Sequence, residues 1–238
     1  MSAADWARRP DARTVVITGI GPITASGIGT PCFWEGLQRL DSPAKLVDRF
    51  DTGPFRSKVA MQIEDFDPTR YMEAKEARRL DRFGQFSVAS AQLALEDAGI
   101  EAGELADSPV AVQMGSALGG ISQAETQANR FAEKGVRAVD PRVALHVFPG
   151  AASCNVAIRF GFTGPNSTNA MSCASGTMAI GEGWRLVRDG IVDVAVAGGV
   201  EAPLAPLSFG AFSIIRAMSE RNDDHRARAD RSTATGTG

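Results

Sequence analysis

Several features that would assign this 238-residue chain to a broad class are missing from it. No run approaches the roughly 18 consecutive apolar residues that a membrane span needs. The first twenty residues contain no apolar stretch followed by a small-residue cleavage site, so we expect no signal peptide. The net charge is −3, which leaves no basic excess to neutralise nucleic-acid phosphates. We therefore expect a protein that neither crosses a membrane nor binds nucleic acid non-specifically.

Cysteine and histidine are also scarce. The three cysteines, Cys32, Cys154 and Cys173, cannot all pair and lack the spacing of a metal site, so we expect no metal and a reducing, cytoplasmic environment. His146 has apolar neighbours in "VALHVFPG", which favours a packing role over that of a catalytic base. The other histidine, His225, lies near the end of the sequence. A complete Cys-His-acid set therefore cannot be assembled from these residues.

Strand-like and helix-like segments alternate along the rest of the chain. Buried strands are predicted over 13–21, 108–116 and 191–199, and helices are predicted from Pro31, over 80–99 and over 175–190. The turn-rich stretch 41–71 is predicted to be a surface excursion. Strand, helix and strand joined by short links predict an α/β fold, in which a sheet is covered by helices.

The segment "GIGPIT" (19–24) follows the first predicted strand and has two glycines of a dinucleotide-binding fingerprint. The third glycine is missing, Pro22 interrupts the turn, and no acidic partner follows on a second strand. We interpret this segment as a tight turn after a strand rather than a nucleotide site.

Cys173 is the strongest candidate for chemistry. It lies in "NAMSCASGTMAIG", where a polar, strand-compatible segment runs into a helix. At a helix N-terminus a thiol meets unpaired N–H groups and the positive end of the helix dipole, and both favour the nucleophilic thiolate. Local physics alone leaves a second interpretation open, in which Cys173 is an inert buried cysteine in a strand-to-helix turn.

A resemblance that extends over a longer stretch of sequence favours Cys173 as a nucleophile over an inert cysteine. The stretch "GPNSTNAMSCASGTMAIGEGWRLVRDGIVDVAVAGGVEAPL" resembles the active-site region of the 3-oxoacyl-[acyl-carrier-protein] synthases, the elongating condensing enzymes of the thiolase superfamily. The resemblance, closest to the β-ketoacyl synthase II type, extends through "VVITGIGPIT", "MGSALGG", "FPGAASCNVAIRFGFTGPN" and "FGAFSIIRAMSERNDD".

The resemblance implies a role for three residues. Cys173 would take an acyl group from acyl carrier protein as a thioester, with its own amide in the oxyanion hole. Malonyl carrier protein would then decarboxylate and attack that thioester, giving a chain two carbons longer. Leu118 and Phe212 match walls of the acyl pocket, where each buried CH₂ contributes about 0.8 kcal/mol. For Leu118 and Phe212 an ordinary core role stays open.

The resemblance also implies an architecture and partners. The expected fold is α/β and thiolase-like, of which the chain holds the N-terminal half only: layered, with a mixed sheet covered by helices. Family members work as homodimers with acyl carrier protein. They need no cofactor of their own, because the substrates are carried on the phosphopantetheine of that protein.

The end of the sequence departs from the family. We assign 1–224 to a truncated β-ketoacyl synthase N-terminal domain and 225–238 to a tail outside the family. The family's His-Gly-Thr, Gly-His and Gly-Phe-Gly motifs are absent. When the codons of 229–238 are regrouped from their third base, they permit Arg-Pro-Phe-Asp-Arg-Asp-Arg-Asp-Gly, the family's type of continuation, which suggests a one-base frameshift near codon 225. We therefore expect a condensing-enzyme fragment without elongation activity. A non-catalytic remnant or split subunit, or a polyketide ketosynthase fragment, are the alternatives.

Overall fold

The computed structural model of the protein describes residues 13–39 and 42–223. Its α-helices are α1 (Thr30–Gln38), α2 (Ala74–Ala77), α3 (Arg82–Asp97), α4 (Ile121–Lys134), α5 (Val143–His146), α6 (Ala151–Phe160), α7 (Ser175–Arg188) and α8 (Pro206–Ile214). Its strands are β1 (Ile23–Thr24), β2 (Gly27–Ile28), β3 (Lys45–Leu46), β4 (Val59–Ala60), β5 (Val110–Gly115), β6 (Asn166–Asn169) and β7 (Val194–Gly199). Short 3₁₀ helices span Pro68–Arg70, Ala102–Leu105, Val136–Ala138 and Ser172–Ala174. None of the helices within these ranges combines the length and the apolar character required to cross a membrane.

A three-stranded parallel sheet forms the centre, in the order β6-β5-β7. The register pairs Val112 with Asn166 on one side and with Val196 on the other. Every residue of β5 is buried, because helices cover both faces of a parallel sheet. The strands predicted within 108–116 and 191–199 are therefore confirmed.

Two long helices flank this sheet, and both match predicted helices. Asp81 caps α3 by accepting a hydrogen bond from the Phe83 amide (3.3 Å), and Phe83 is almost completely buried. α7 packs on β5 and β7. Beyond the C-terminal ends of α3 and α7, Gly99 and Gly190 adopt the left-handed backbone region (φ +68° and +70°), the usual way to end a helix.

The main hydrophobic core lies between the sheet, α3 and α6. Phe83 packs there with Val110 and Val112 of β5 and with Ala152 and Val156 of α6, and all five are nearly inaccessible. These apolar side chains come from segments far apart in sequence. They tie the strand that leads to the candidate site to the helices around it.

The prediction that 41–71 is only a surface excursion is wrong in part. Phe66 and Tyr71 are buried, their rings stacked at 5.6 Å, and Phe66 also meets Phe86 of α3 edge-on at 4.8 Å. Turn-forming residues dominate the composition of 41–71, and the prediction of a surface segment followed from them. The few apolar side chains nevertheless form a second core cluster against α3.

The prediction of a buried strand over 13–21 is wrong for the described residues. No strand is formed there, and Val16 and Ile17 are 69% and 80% exposed. The segment is anchored to α3 instead, because the Ile20 amide donates to the Asp97 carboxylate (2.9 Å) and the Ser90 hydroxyl donates to the Gly21 carbonyl. An apolar run becomes a strand only where another strand offers it backbone partners.

Candidate active site

Cys173 lies in the 3₁₀ turn that joins β6 to α7, and it is exposed. The residue before it, Ser172, has φ +53°, an uncommon left-handed conformation for a residue with a side chain. The Ala174 amide closes the turn by donating to the Met171 carbonyl (3.2 Å). This sharp turn presents the thiol at the N-terminal end of α7, as the sequence predicts.

Polar side chains brace both sides of the turn. Asn169, the last residue of β6, accepts from the Met171 amide (3.3 Å) and donates to the Ser175 carbonyl (3.0 Å). The Ser175 hydroxyl donates to the Ser172 carbonyl (2.8 Å). These three bonds hold the strained turn from either end, which explains how the left-handed conformation persists. Asn169 and Ser175 were not among the predicted site residues.

Close backbone contacts seat α7 against the ends of β5 and β7. A Cβ at Gly115 would lie 2.2 Å from the Ser175 carbonyl, and one at Gly199 would lie 2.8 Å from Cα of Gly176. Only glycine permits these approaches. The position of Cys173 is therefore fixed by the first turn of α7, which rests directly on the sheet.

The three predicted site residues meet at one cavity of about 340 Å³, which is lined by Cys173, Leu118 and Phe212. Leu118 is half-buried in the loop after β5, and Phe212 of α8 is 41% exposed. They come from three separate segments of the chain. The roles of an acyl nucleophile and of pocket walls stay predictions.

Glu201 also lines the cavity and was not among the predicted site residues. Its carboxylate accepts hydrogen bonds from the amides of Ala117 (2.7 Å) and Leu118 (3.2 Å) and from the hydroxyl of Ser116 (3.2 Å). Burial raises the pKa of Glu201, and these three donors partly oppose that effect. An acidic residue directly after a glycine-rich strand end, in "AGGVEAPL", was the signal available in the sequence.

The other predicted candidates lie away from the cavity. His146 ends the short helix α5 and does not line it. Burial lowers the pKa of His146, and the nearby Arg142 charge acts in the same direction. Cys32 and Cys154 are exposed on α1 and α6. His225 and the predicted tail 225–238 lie outside the described residues.

The site offers chemistry suited to an acyl group. The first N–H groups of α7 have no partners within the helix and carry partial positive charge, which stabilises an oxyanion nearby. Within residues 13–39 and 42–223, no cluster of three His, Cys, Asp or Glu side chains could hold a metal ion. The described residues of the site thus combine a thiol, a helix N-terminus and apolar walls.

Comparison with known proteins places this arrangement in a family. The profile of the β-ketoacyl synthase N-terminal domain matches residues 12–238. A 3-oxoacyl-[acyl-carrier-protein] synthase 2 of Synechocystis sp. is 35% identical over 212 residues, which cover 89% of this chain and 51% of that protein. The chain spans about half the length of the curated relatives it matches.

Solved structures agree on the fold. The ishigamide ketosynthase/chain length factor superposes with a TM-score of 0.82 at 29% identity, covering 87% of this chain and 52% of that one. A type II polyketide ketosynthase, solved in complex with its acyl-carrier protein, superposes with a TM-score of 0.71 at 21% identity, covering 86% and 55%. The expected α/β, thiolase-like fold is confirmed, and the chain belongs to the β-ketoacyl synthase family, in the part that holds the N-terminal domain.

Proposed function

We propose that Cys173 accepts an acyl group as a thioester, in the manner of a β-ketoacyl-acyl carrier protein synthase of fatty-acid elongation. The observation that carries this proposal is that Cys173, Leu118 and Phe212 share one cavity, although Leu118 lies 55 residues before Cys173 and Phe212 lies 39 residues after it. A thiol beside apolar walls suits a long alkyl thioester. Each CH₂ that leaves water for such walls contributes about 0.8 kcal/mol.

The proposed transfer balances as a simple exchange. The Cys173 thiolate attacks the thioester carbonyl, and the oxygen becomes an oxyanion that the Cys173 amide stabilises. The intermediate collapses, the carbon–sulfur bond to the carrier breaks, and the released thiolate takes up a proton. The turn that contains Ser172, with its left-handed backbone (φ +53°), leaves Cys173 exposed to such a substrate.

Acyl carrier protein is the proposed partner, and no cofactor of the chain's own is needed. The solved polyketide ketosynthase in complex with its acyl-carrier protein supports this partner by likeness of fold. We also propose a homodimer in the cytoplasm. The open outer edge of β6, which pairs with β5 alone among the described strands, supports the dimer as a surface where a second sheet could pair.

We propose further that this 238-residue chain does not complete elongation. The later steps, decarboxylation of malonyl carrier protein and condensation, belong to the family's histidines. No histidine lines the described cavity, and His146 is held on α5. Malonyl-dependent lengthening of an acyl chain by the purified protein would overturn this part of the proposal.

A polyketide ketosynthase role is the second candidate. It is favoured by the likeness to the ishigamide ketosynthase/chain length factor. The two candidates share the thioester step at Cys173 and differ in the acyl group. Faster loading of saturated acyl thioesters than of polyketide-like 3-oxo thioesters would support the fatty-acid assignment, and the reverse preference would support the polyketide assignment.

Thioester exchange at Cys173 can be measured directly. The purified chain is mixed with octanoyl-pantetheine, and free pantetheine and the octanoylated peptide are quantified by mass spectrometry. We expect one octanoyl group per chain at Cys173, none in Cys173→Ala, and unchanged loading in the matched variant Cys154→Ala, because Cys154 is also exposed. Equal modification of Cys154 and Cys173 would contradict the proposal.

A further inference from the structure

The carboxylate of Glu201 joins two segments of the fold that are far apart in sequence. Glu201 follows β7 after a single residue, and three consecutive residues of the loop after β5 donate to it. One oxygen accepts from the amides of Ala117 (2.7 Å) and Leu118 (3.2 Å), and the other accepts from the Ser116 hydroxyl (3.2 Å). Hydrogen bonds to an ionised acceptor are roughly twice as strong as neutral ones, so this contact holds the loop firmly.

Both ends of that loop are fixed by other contacts. The Ser116 amide donates to the Asn169 carbonyl (3.1 Å), and Ser116 is buried. At the other end the Gly120 amide donates to the Val147 carbonyl (3.0 Å), and a Cβ at Gly119 would lie 2.8 Å from the same oxygen. Of the three amides between these ends, those of Ala117 and Leu118 donate to Glu201, and the Gly119 amide donates to the Ser116 hydroxyl (3.1 Å).

The two segments that Glu201 connects both contribute to the lining of one cavity. Ala117 and Leu118 line it from the loop, and Glu201 and Pro203 line it from the segment after β7, together with Cys173. The carboxylate therefore controls where the Leu118 backbone lies relative to the thiol. Any movement of the loop moves an apolar wall of the cavity.

We propose that Glu201 is a positioning residue that sets the depth of the cavity for an apolar chain by holding Leu118 in place. That the apolar chain is an acyl group rests on the function proposed above. Loss of the carboxylate releases the amides of Ala117 and Leu118, the loop relaxes, and the cavity admits a longer chain next to Cys173. Glutamine keeps one acceptor oxygen, so it preserves part of the contact and serves as a conservative variant.

The test uses chain length as its readout. Cys173 of the full 238-residue protein is alkylated with N-ethylmaleimide or N-octylmaleimide, and the two rates are followed by peptide mass spectrometry. In Glu201→Ala we expect the octyl-to-ethyl rate ratio to rise about 4-fold, the effect of burying one further CH₂. Glu201→Gln should raise it about 2-fold, because part of the contact remains.

Matched variants separate positioning from general loosening. Glu125 also receives backbone hydrogen bonds, from the Leu207 amide at 2.9 and 3.0 Å, but it does not line the cavity. Glu125→Ala should therefore leave the rate ratio unchanged. Leu118→Ala should raise the ratio as Glu201→Ala does, and the double variant should show little further rise, since both changes act on the same wall.

An unchanged ratio in Glu201→Ala, with a circular dichroism spectrum like that of the parent, would overturn the proposal. If Glu201→Ala does not fold, Glu201→Gln is measured in its place. An unchanged octyl-to-ethyl rate ratio in Glu201→Gln would then overturn the proposal. Alkylation requires no thioester exchange. If the protein fails octanoyl transfer but Glu201→Ala still raises the rate ratio, the proposed function is wrong and the positioning role of Glu201 stands.

Discussion

Replacing Gly199 by alanine tests how the sheet positions the thiol. A Cβ at Gly199 would lie 2.8 Å from Cα of Gly176, in the first turn of α7. Non-bonded carbon atoms prefer about 3.5–4.0 Å, so the helix start must retreat by roughly 0.7 Å. The obstacle is backbone on both sides, and no side-chain rotation can relieve it.

The neighbouring glycine provides the control. A Cβ at Gly198 would meet no atom within 4 Å. Overpacking costs about 1–3 kcal/mol, and each kcal/mol lowers Tm by about 2–4 °C in a chain of this size. We expect Gly199→Ala to melt about 2–12 °C below the parent and to acylate Cys173 roughly 10-fold or more slowly. Gly198→Ala should leave both values close to those of the parent or raise Tm slightly.

Tm is measured by circular dichroism and the rate of Cys173 acylation by octanoyl transfer, both on the same preparations. Equal Tm values for Gly199→Ala and Gly198→Ala would refute the packing argument. A lowered Tm with an unchanged transfer rate would show that the position of α7 does not control Cys173.

Three further variants test other parts of the structure. Phe83→Ala should cost about 3–5 kcal/mol of unfolding free energy in urea, against little for Phe131→Ala, whose ring is 56% exposed; equal costs would contradict the core assignment. Burial raises the pKa of Asp81 above its usual value, so the folded chain holds that proton more tightly, and the parent should lose stability relative to Asp81→Asn as pH rises above about 4. A Tm difference that stays constant with pH would contradict this. Asn169→Ala removes the bonds on both sides of the turn and should slow transfer to Cys173 about 10-fold without unfolding the chain; an unchanged rate would show that the turn holds itself.

The sequence predicted the central elements because their signals are local. The continuous apolar run that became β5 is typical of a strand buried on both faces, and the glycines after α3 and α7 mark where those helices end. Cys173 could be selected because a helix N-terminus and small neighbours are visible in the order of residues. The resemblance to condensing enzymes added Leu118 and Phe212, which no local pattern distinguishes from core residues.

What the sequence could not predict depends on contacts between distant segments. Val16 and Ile17 have strand-forming side chains, yet whether they pair depends on which strand lies beside them. Glu201 follows a glycine-rich strand end, but its importance comes from three donors more than 80 positions away. Asn169 likewise acts through the turn beside it rather than through its strand.

The most direct test of the central claim is competitive alkylation of the three cysteines by a limiting amount of iodoacetamide, resolved peptide by peptide. Cys32, Cys154 and Cys173 are all exposed, so accessibility alone does not separate them. If the fold makes Cys173 a nucleophile, it should react at least about 10-fold faster than the other two in the native chain and within about 2-fold of them in urea. Equal rates in the native chain would contradict the claim.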